Sequence, residues 1–243
     1  VYTGVLLINI GTPESPSVPD VRKYLREFLM DKRVISLPLL PRFLLVYGVI
    51  GLFRSPKSAK LYQALWAEKG SPLLHYSLSL EQKVQQMLGI GYIVRTAMRY
   101  SEPRIESVLD EFKRKQVDRV VAVPLYPQYA SSTTGSSIEA MFKIVCRWSE
   151  IPAIEVRPPF YADPWFVHQL GLAMQPYLMK SYDAIVFSYH GLPESHLKNV
   201  HAGSCGYNGC SESITDSNKN CYRAQCYETT RKVFKELGLG NDI

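Results

Sequence analysis

Strand-like and helix-like segments alternate along this chain of 243 residues, and that alternation restricts its fold more than any other feature. Short runs rich in β-branched residues recur at VLLINI (5–10), YIVRTAM (92–98), RVVAVPL (119–125), AIEVRPP (153–159) and AIVFSYH (184–190). Between them, VPDVRKYLREFLMD, LSLEQKVQQML, PRIESVLDEFKRK and SSIEAMFKIVCRW carry apolar residues three and four apart, the period of a helix with one buried face. Strands separated by helices pair in parallel through right-handed crossovers, so the pattern predicts an α/β fold with its sheet covered on both faces. RPPFYADP marks a division near residue 160. Residues 1–160 hold four of the strands as an N-terminal domain, and 161–243 begin a second domain with one strand, too few for a sheet. The second domain is expected to be incomplete, the chain being cut short at Ile243.

Apolar residues at 46% and charged residues at 21% are ordinary for a globular protein, which excludes disordered and fibrous classes. The net charge of +6 includes no dense Lys/Arg tract, so nucleic acid is not the expected partner. An acidic small molecule or an anionic membrane surface suits such a charge better. VYTGVLLINIGTPES has neither the basic flank nor the cleavage site of a signal peptide, and reads as a strand entering a turn. A reducing, cytoplasmic setting is expected; without an initial Met, Val1 is not expected to start the gene. Residues 37–53, LPLLPRFLLVYGVIGLF, are nearly all apolar, but Pro41 and Arg42 interrupt them and leave less than the roughly 20 residues that span a bilayer. They read either as a buried helix or as an apolar lip touching a membrane.

Parallel sheets bind ligands outside the carboxyl ends of their strands, which directs attention to the loops GTPES, RYSEP, YPQYASSTTGSS and HGLPESH. His190 directly follows VFSY at such an end, where an imidazole can pass protons near neutral pH. The hydroxyl-rich YPQYASSTTGSS reads as a helix cap or an anion site. Arg54 and Lys57 offer cations for carboxylates or a plain solvated face. Cys205, Cys210, Cys221 and Cys226 follow the spacing C-x4-C-x10-C-x4-C, which suits a structural zinc, a 2Fe-2S cluster or two disulfides, with zinc first on spacing alone. Cys146, on an amphipathic helix, reads as core.

LLINIGTPES, MRYSEP, YPQYASSTTGSS and FSYHGLPES, in this order along essentially the whole chain, resemble the corresponding stretches of ferrochelatases, which insert ferrous iron into protoporphyrin IX to make protohaem. The resemblance implies two Rossmann-like domains with parallel four-stranded sheets and a porphyrin cleft between them. It implies that His190, in the family's S-x-H-x-L-P motif, accepts pyrrole protons or guides Fe²⁺, and that Arg99 and Tyr100 line the metal side. Arg54, Lys57 and Ser71 fall where some members bind the propionates, and Ile10 falls against the macrocycle. Because some bacterial members hold a 2Fe-2S cluster in a cysteine-rich segment after the histidine motif, the resemblance moves the segment 201–226 from zinc to iron–sulfur. It likewise favours the membrane-surface reading of 37–53. A further third of the chain, with a cleft tryptophan and a glutamate that works with the histidine, is also implied. The competing readings are a coproporphyrin or cobalt chelatase and a non-catalytic cluster-binding module on a chelatase scaffold.

Overall fold

The computed structural model describes residues 2–180, 182–198 and 212–239. Four strands, β1 (Thr3–Asn9), β2 (Tyr92–Met98), β3 (Arg119–Pro124) and β4 (Ala153–Val156), form one all-parallel sheet in the order β2-β1-β3-β4. The helices are α1 (Val18–Leu29), α2 (Leu39–Phe43), a π-helix (Leu44–Arg54), α3 (Ser55–Leu65), α4 (Pro72–Leu88), α5 (Ile105–Arg114), a π-turn (Ser131–Gly135) running into α6 (Ser136–Val145), α7 (Pro164–Leu178), α8 (Glu194–Lys198) and α9 (Tyr222–Glu236). The chain divides into two compact units, one made of residues 1–125 and 131–158, the other of 126–130 and 159–243.

Both faces of the sheet are buried, which is why its strands read as continuous apolar runs. Leu6, Ile8, Val120 and Ala122 pack with Leu109 and Phe112 of α5 and Met141 and Val145 of α6. Val5, Leu7 and Val94 face the other way, against Val84 of α4. Full burial of a side chain such as Leu109 or Phe112 stabilises by roughly 1.5–3 kcal/mol. From β1 the chain steps to β2 on one side and then to β3 on the other. The switch point between β1 and β3 is where a sheet of this kind opens a crevice at its carboxyl end.

The apolar run near residue 40 is part of a longer helix, and the buried-helix reading fails there. Pro41 lies in the first turn, where no helical hydrogen bond is lost, and α2, the π-helix and α3 continue one another over Leu39–Leu65. By length and composition alone this helix could cross a membrane, and only 22% of its most apolar stretch is buried. Its buried positions, Arg42, Val46, Gly51, Ser55 and Ala59, are four, five, four and four residues apart, the step of five falling in the wider π turns. One narrow stripe therefore meets the first unit, leaving Leu39, Leu40, Leu44, Leu52 and Phe53 exposed. Pro56 has no N–H for a π-type bond to Gly51, and the Ser55 hydroxyl supplies the donor at 3.1 Å.

In the second unit α7 packs on α9, closely enough that a Cβ on Gly171 would stand 3.2 Å from Glu236 Cγ. Asp163 caps α7 by accepting from the N–H groups of Trp165 and Phe166. Residues 126–130 are fixed to α9: the Tyr129 N–H donates to Gln225 Oε1 at 2.6 Å and Gln128 Nε2 donates to Thr229 Oγ1 at 2.9 Å. The expected strand at 184–190 does not form among the described residues, and Val186 is 86% exposed. A β-prone sequence becomes a strand only when a neighbour takes its backbone hydrogen bonds, and that segment has no ladder partner there. Cys146, expected in the core, is exposed, because it falls at the end of α6 beyond the last buried turn.

Candidate functional site

The loops after β1 and β2 are joined by backbone bonds. Arg99 N–H donates to the Asn9 carbonyl at 2.8 Å and Tyr100 N–H to the Ile10 carbonyl at 3.0 Å. Gly11 follows with φ +105°, and a Cβ there would lie 2.6 Å from Ser101 Oγ, so both the backbone angle and the space require glycine. The same Ser101 hydroxyl accepts from the Thr12 N–H at 3.1 Å.

Beside these loops, just past α1, lies Asp31, whose side chain is only 7% exposed. Its Oδ2 accepts from Arg99 Nη2 at 2.8 Å, from the Tyr100 hydroxyl at 2.8 Å and from the Ser136 hydroxyl, while Oδ1 accepts from the Arg33 N–H at 2.7 Å. Arg99 Nε donates to Ser136 Oγ at 2.8 Å, and its guanidinium stacks 4.4 Å from the centre of the Tyr100 ring. Arg33 extends the network, donating to Ser131 Oγ at 2.9 Å and pairing with Glu139, which also binds Lys143. Burial alone would raise the Asp31 carboxyl, but the donors from Ser136, Arg33 and Tyr100 and the charge of Arg99 together hold it below the usual carboxylate range. Hydrogen bonds from Lys143 and then Arg33 bring Glu139 down to about 2. Burial pushes the Tyr100 hydroxyl upward.

These depressed carboxyls contribute to the acid limit of the first unit. Carboxyls with lowered folded values contribute stability above their unfolded values of about 4, and lose it as pH falls through the folded ones. The urea midpoint should therefore drop between pH 4 and 2, and Asp31→Asn with Glu139→Gln should flatten that drop. An equally steep decline in the double variant would show that other groups control it.

The remaining residues singled out in the sequence are distributed as follows. Tyr100 is 1% exposed with its hydroxyl already bonded, and Ser71 is buried just before α4. Ile10 is half-buried; Arg54 and Lys57 stand exposed on the long helix with no ion-pair partner among the described residues. Within SSTTGSS the side chains of Ser132, Thr134, Ser136 and Ser137 are buried and so form no open anion site, and no side-chain cap stands at Gly135, where α6 continues the π-turn. His190 belongs to the second unit and is exposed along a cavity of about 680 Å³ with Phe187, Tyr189, Leu192, Tyr222 and Cys226.

Cys205 and Cys210 lie outside the described residues. Cys221 precedes α9 and Cys226 is one turn inside it, both free and buried. Burial, opposed by a hydrogen bond from Tyr222 and helped by charge on Cys221, pushes the Cys226 thiol up to about 11. Cys221, at the start of α9, and Cys226, one turn into it, are two of the four sulfurs that a thiolate ligand set would need. Among the described residues no three His, Cys, Asp or Glu side chains gather into a metal-sized group.

The family model for ferrochelatase matches the chain over residues 2–243. The chain belongs to the ferrochelatase family. It is 44% identical over 240 residues to the ferrochelatase of Legionella pneumophila, covering 98% of this chain and 70% of that protein. It is 42% identical over 239 residues to that of Coxiella burnetii, covering 97% of this chain and 66% of that protein. Within this ferrochelatase-family chain, the residues that sequence reasoning missed are Asp31, Arg33 and Glu139. No motif marks them, and only the folded loop brings them to Arg99 and the serine-rich segment.

Proposed function

We propose that this chain inserts ferrous iron into protoporphyrin IX, with His190 accepting the pyrrole protons. The observation that carries the reading is the match to the ferrochelatase family from residue 2 to the end of the chain. Supporting it, the loop cluster of Asn9–Thr12, Arg99–Ser101 and Asp31 stands at the carboxyl end of the sheet, where an α/β fold binds its ligand. Iron is a substrate here. As Fe²⁺ enters the macrocycle two N–H protons leave, which calls for a base at the ring, and His190 lines a mostly apolar cavity in its own unit.

Arg54, Lys57 and Ser71 are proposed to hold the propionates, the two cations having no other partner among the described residues, and Ile10 to lie against the ring. Arg99 and Tyr100 are proposed to line the path of the metal. Cys205, Cys210, Cys221 and Cys226 are proposed to ligate a 2Fe-2S cluster, which when bound would cross-link the segment before α9. The exposed apolar side of Leu39–Leu65 is proposed to rest on a membrane surface at the cytoplasmic side, where a flat, poorly soluble porphyrin concentrates. The test is an oxygen-free incubation of the full-length protein with Fe²⁺ and protoporphyrin IX, followed by the haem absorption spectrum. Faster turnover with protoporphyrin IX and Fe²⁺ than with coproporphyrin or Co²⁺ is expected. A preference for either substitute would favour the related chelatases, and binding without turnover the non-catalytic module.

A further inference from the structure

We infer that Asp31 compensates the charge of Arg99 and fixes its position, so that a cation can stand beside the route of Fe²⁺ without repelling it. This rests on the reading of Arg99 as lining that route.

Arg99 is held at three points: Nε on Ser136, Nη2 on Asp31, and its face on the Tyr100 ring. Only Nη1 carries no bond to the described residues. Asp31 is the one ion-pair partner of Arg99 among those residues, and it is not shared, because neighbouring Arg33 is matched by Glu139. Each Asp31 oxygen is met by donors: three on Oδ2 and one backbone N–H on Oδ1. That shell favours the charged carboxylate. A lone guanidinium at a separation on the order of 10 Å lowers dication affinity roughly four-fold at the dielectric of water and roughly ten-fold in a crevice whose effective dielectric is about 50. The Arg99–Asp31 pair presents a dipole instead, and its effect dies away faster with distance.

Charge compensation and plain structural support predict different signs. If the pair only held the loop in shape, removing either partner would harm the protein in the same direction. If it balances charge, the two removals oppose one another. Asp31→Asn strands a cation and should raise the KM for Fe²⁺ about ten-fold, while the KM for the anionic porphyrin changes less than about two-fold. Arg99→Met leaves Asp31 with its other donors, uncovers a carboxylate and should lower the KM for Fe²⁺. The double variant, neutral again, should return close to the parent. Added salt should shrink both single-variant effects.

The measurement is initial rates in the full-length protein, varying Fe²⁺ and porphyrin separately, with thermal midpoints recorded alongside. A rise in the KM for Fe²⁺ in both single variants, with no recovery in the double variant, would overturn the inference in favour of a structural network. Unchanged KM for Fe²⁺ in all three variants would instead remove Arg99 from the metal route. If Asp31→Asn does not fold, the sign of the Arg99→Met effect decides alone, and an increase there rejects compensation.

Discussion

His190→Ala should lower kcat for iron insertion by about 10²- to 10⁴-fold, the usual worth of a positioned general base, and leave porphyrin affinity within a few-fold. The residue has few structural duties that could confuse the result. It sits exposed in a segment without ladder partners among the described residues, and its ring is not part of the buried core of its unit. Neighbouring Tyr189 is the side chain that anchors this stretch, with its hydroxyl 2.9 Å from Thr230 Oγ1. Loss of the imidazole should thus remove a proton acceptor without loosening the cavity wall. Equilibrium binding of protoporphyrin IX, read by fluorescence quenching, separates the two effects. A variant that turns over at the parental rate would sink the assignment, and one that no longer binds porphyrin would move His190 from proton transfer to substrate binding.

What could be read from the sequence and what could not divide along physical lines. VLLINI, YIVRTAM and RVVAVPL are strands whose apolar residues pack into a core on each face of the sheet, and such β-branched runs are hard to mistake once helices alternate with them. AIVFSYH has the same composition but not the same fate, since strand formation depends on neighbours that local sequence does not encode. The stretch LPLLPRFLLVYGVIGLF was ambiguous for a related reason. Its composition fits a buried helix, and exposure was decided by a π-helical geometry that lines up Arg42, Val46, Gly51, Ser55 and Ala59 on one side. At the site, the turn after β1 was legible through GTPES, while the need for glycine at Gly11 came only with its φ and its closeness to Ser101. Asp31 was not. It is an acidic residue two positions past a helix, as unremarked in sequence as any surface aspartate, and it acquires meaning only from Arg99, Tyr100 and Ser136, 68 to 105 positions away.

On the proposed 2Fe-2S ligation, Cys221→Ser should strip iron and acid-labile sulfide from the protein together, and the loss should be felt at residues 126–130. Gln225 is the reason. It lies between the two described cysteines, is buried, and its amide both accepts from the Tyr129 N–H and donates to the Lys219 carbonyl at 2.7 Å. Thr229, one turn further along α9, accepts from Gln128 and donates to the Tyr161 carbonyl at 2.8 Å. Whatever holds the start of α9 therefore also holds the loop that follows β3. Four thiolates around a cluster would cross-link that start covalently, whereas the side-chain amide alone is worth the smaller cost of unmet buried groups, about 1–3 kcal/mol for Gln225→Ala. The two variants accordingly separate the ligand set from the latch. Gln225→Ala should keep iron and sulfide while raising amide exchange at Tyr129; Cys221→Ser should lose both and raise exchange at Tyr129 as well. Full iron and sulfide in Cys221→Ser would exclude it as a ligand. One zinc and no sulfide in the parent protein would keep the same four cysteines but replace the cluster with a structural clip, leaving the mechanical link through Gln225 intact.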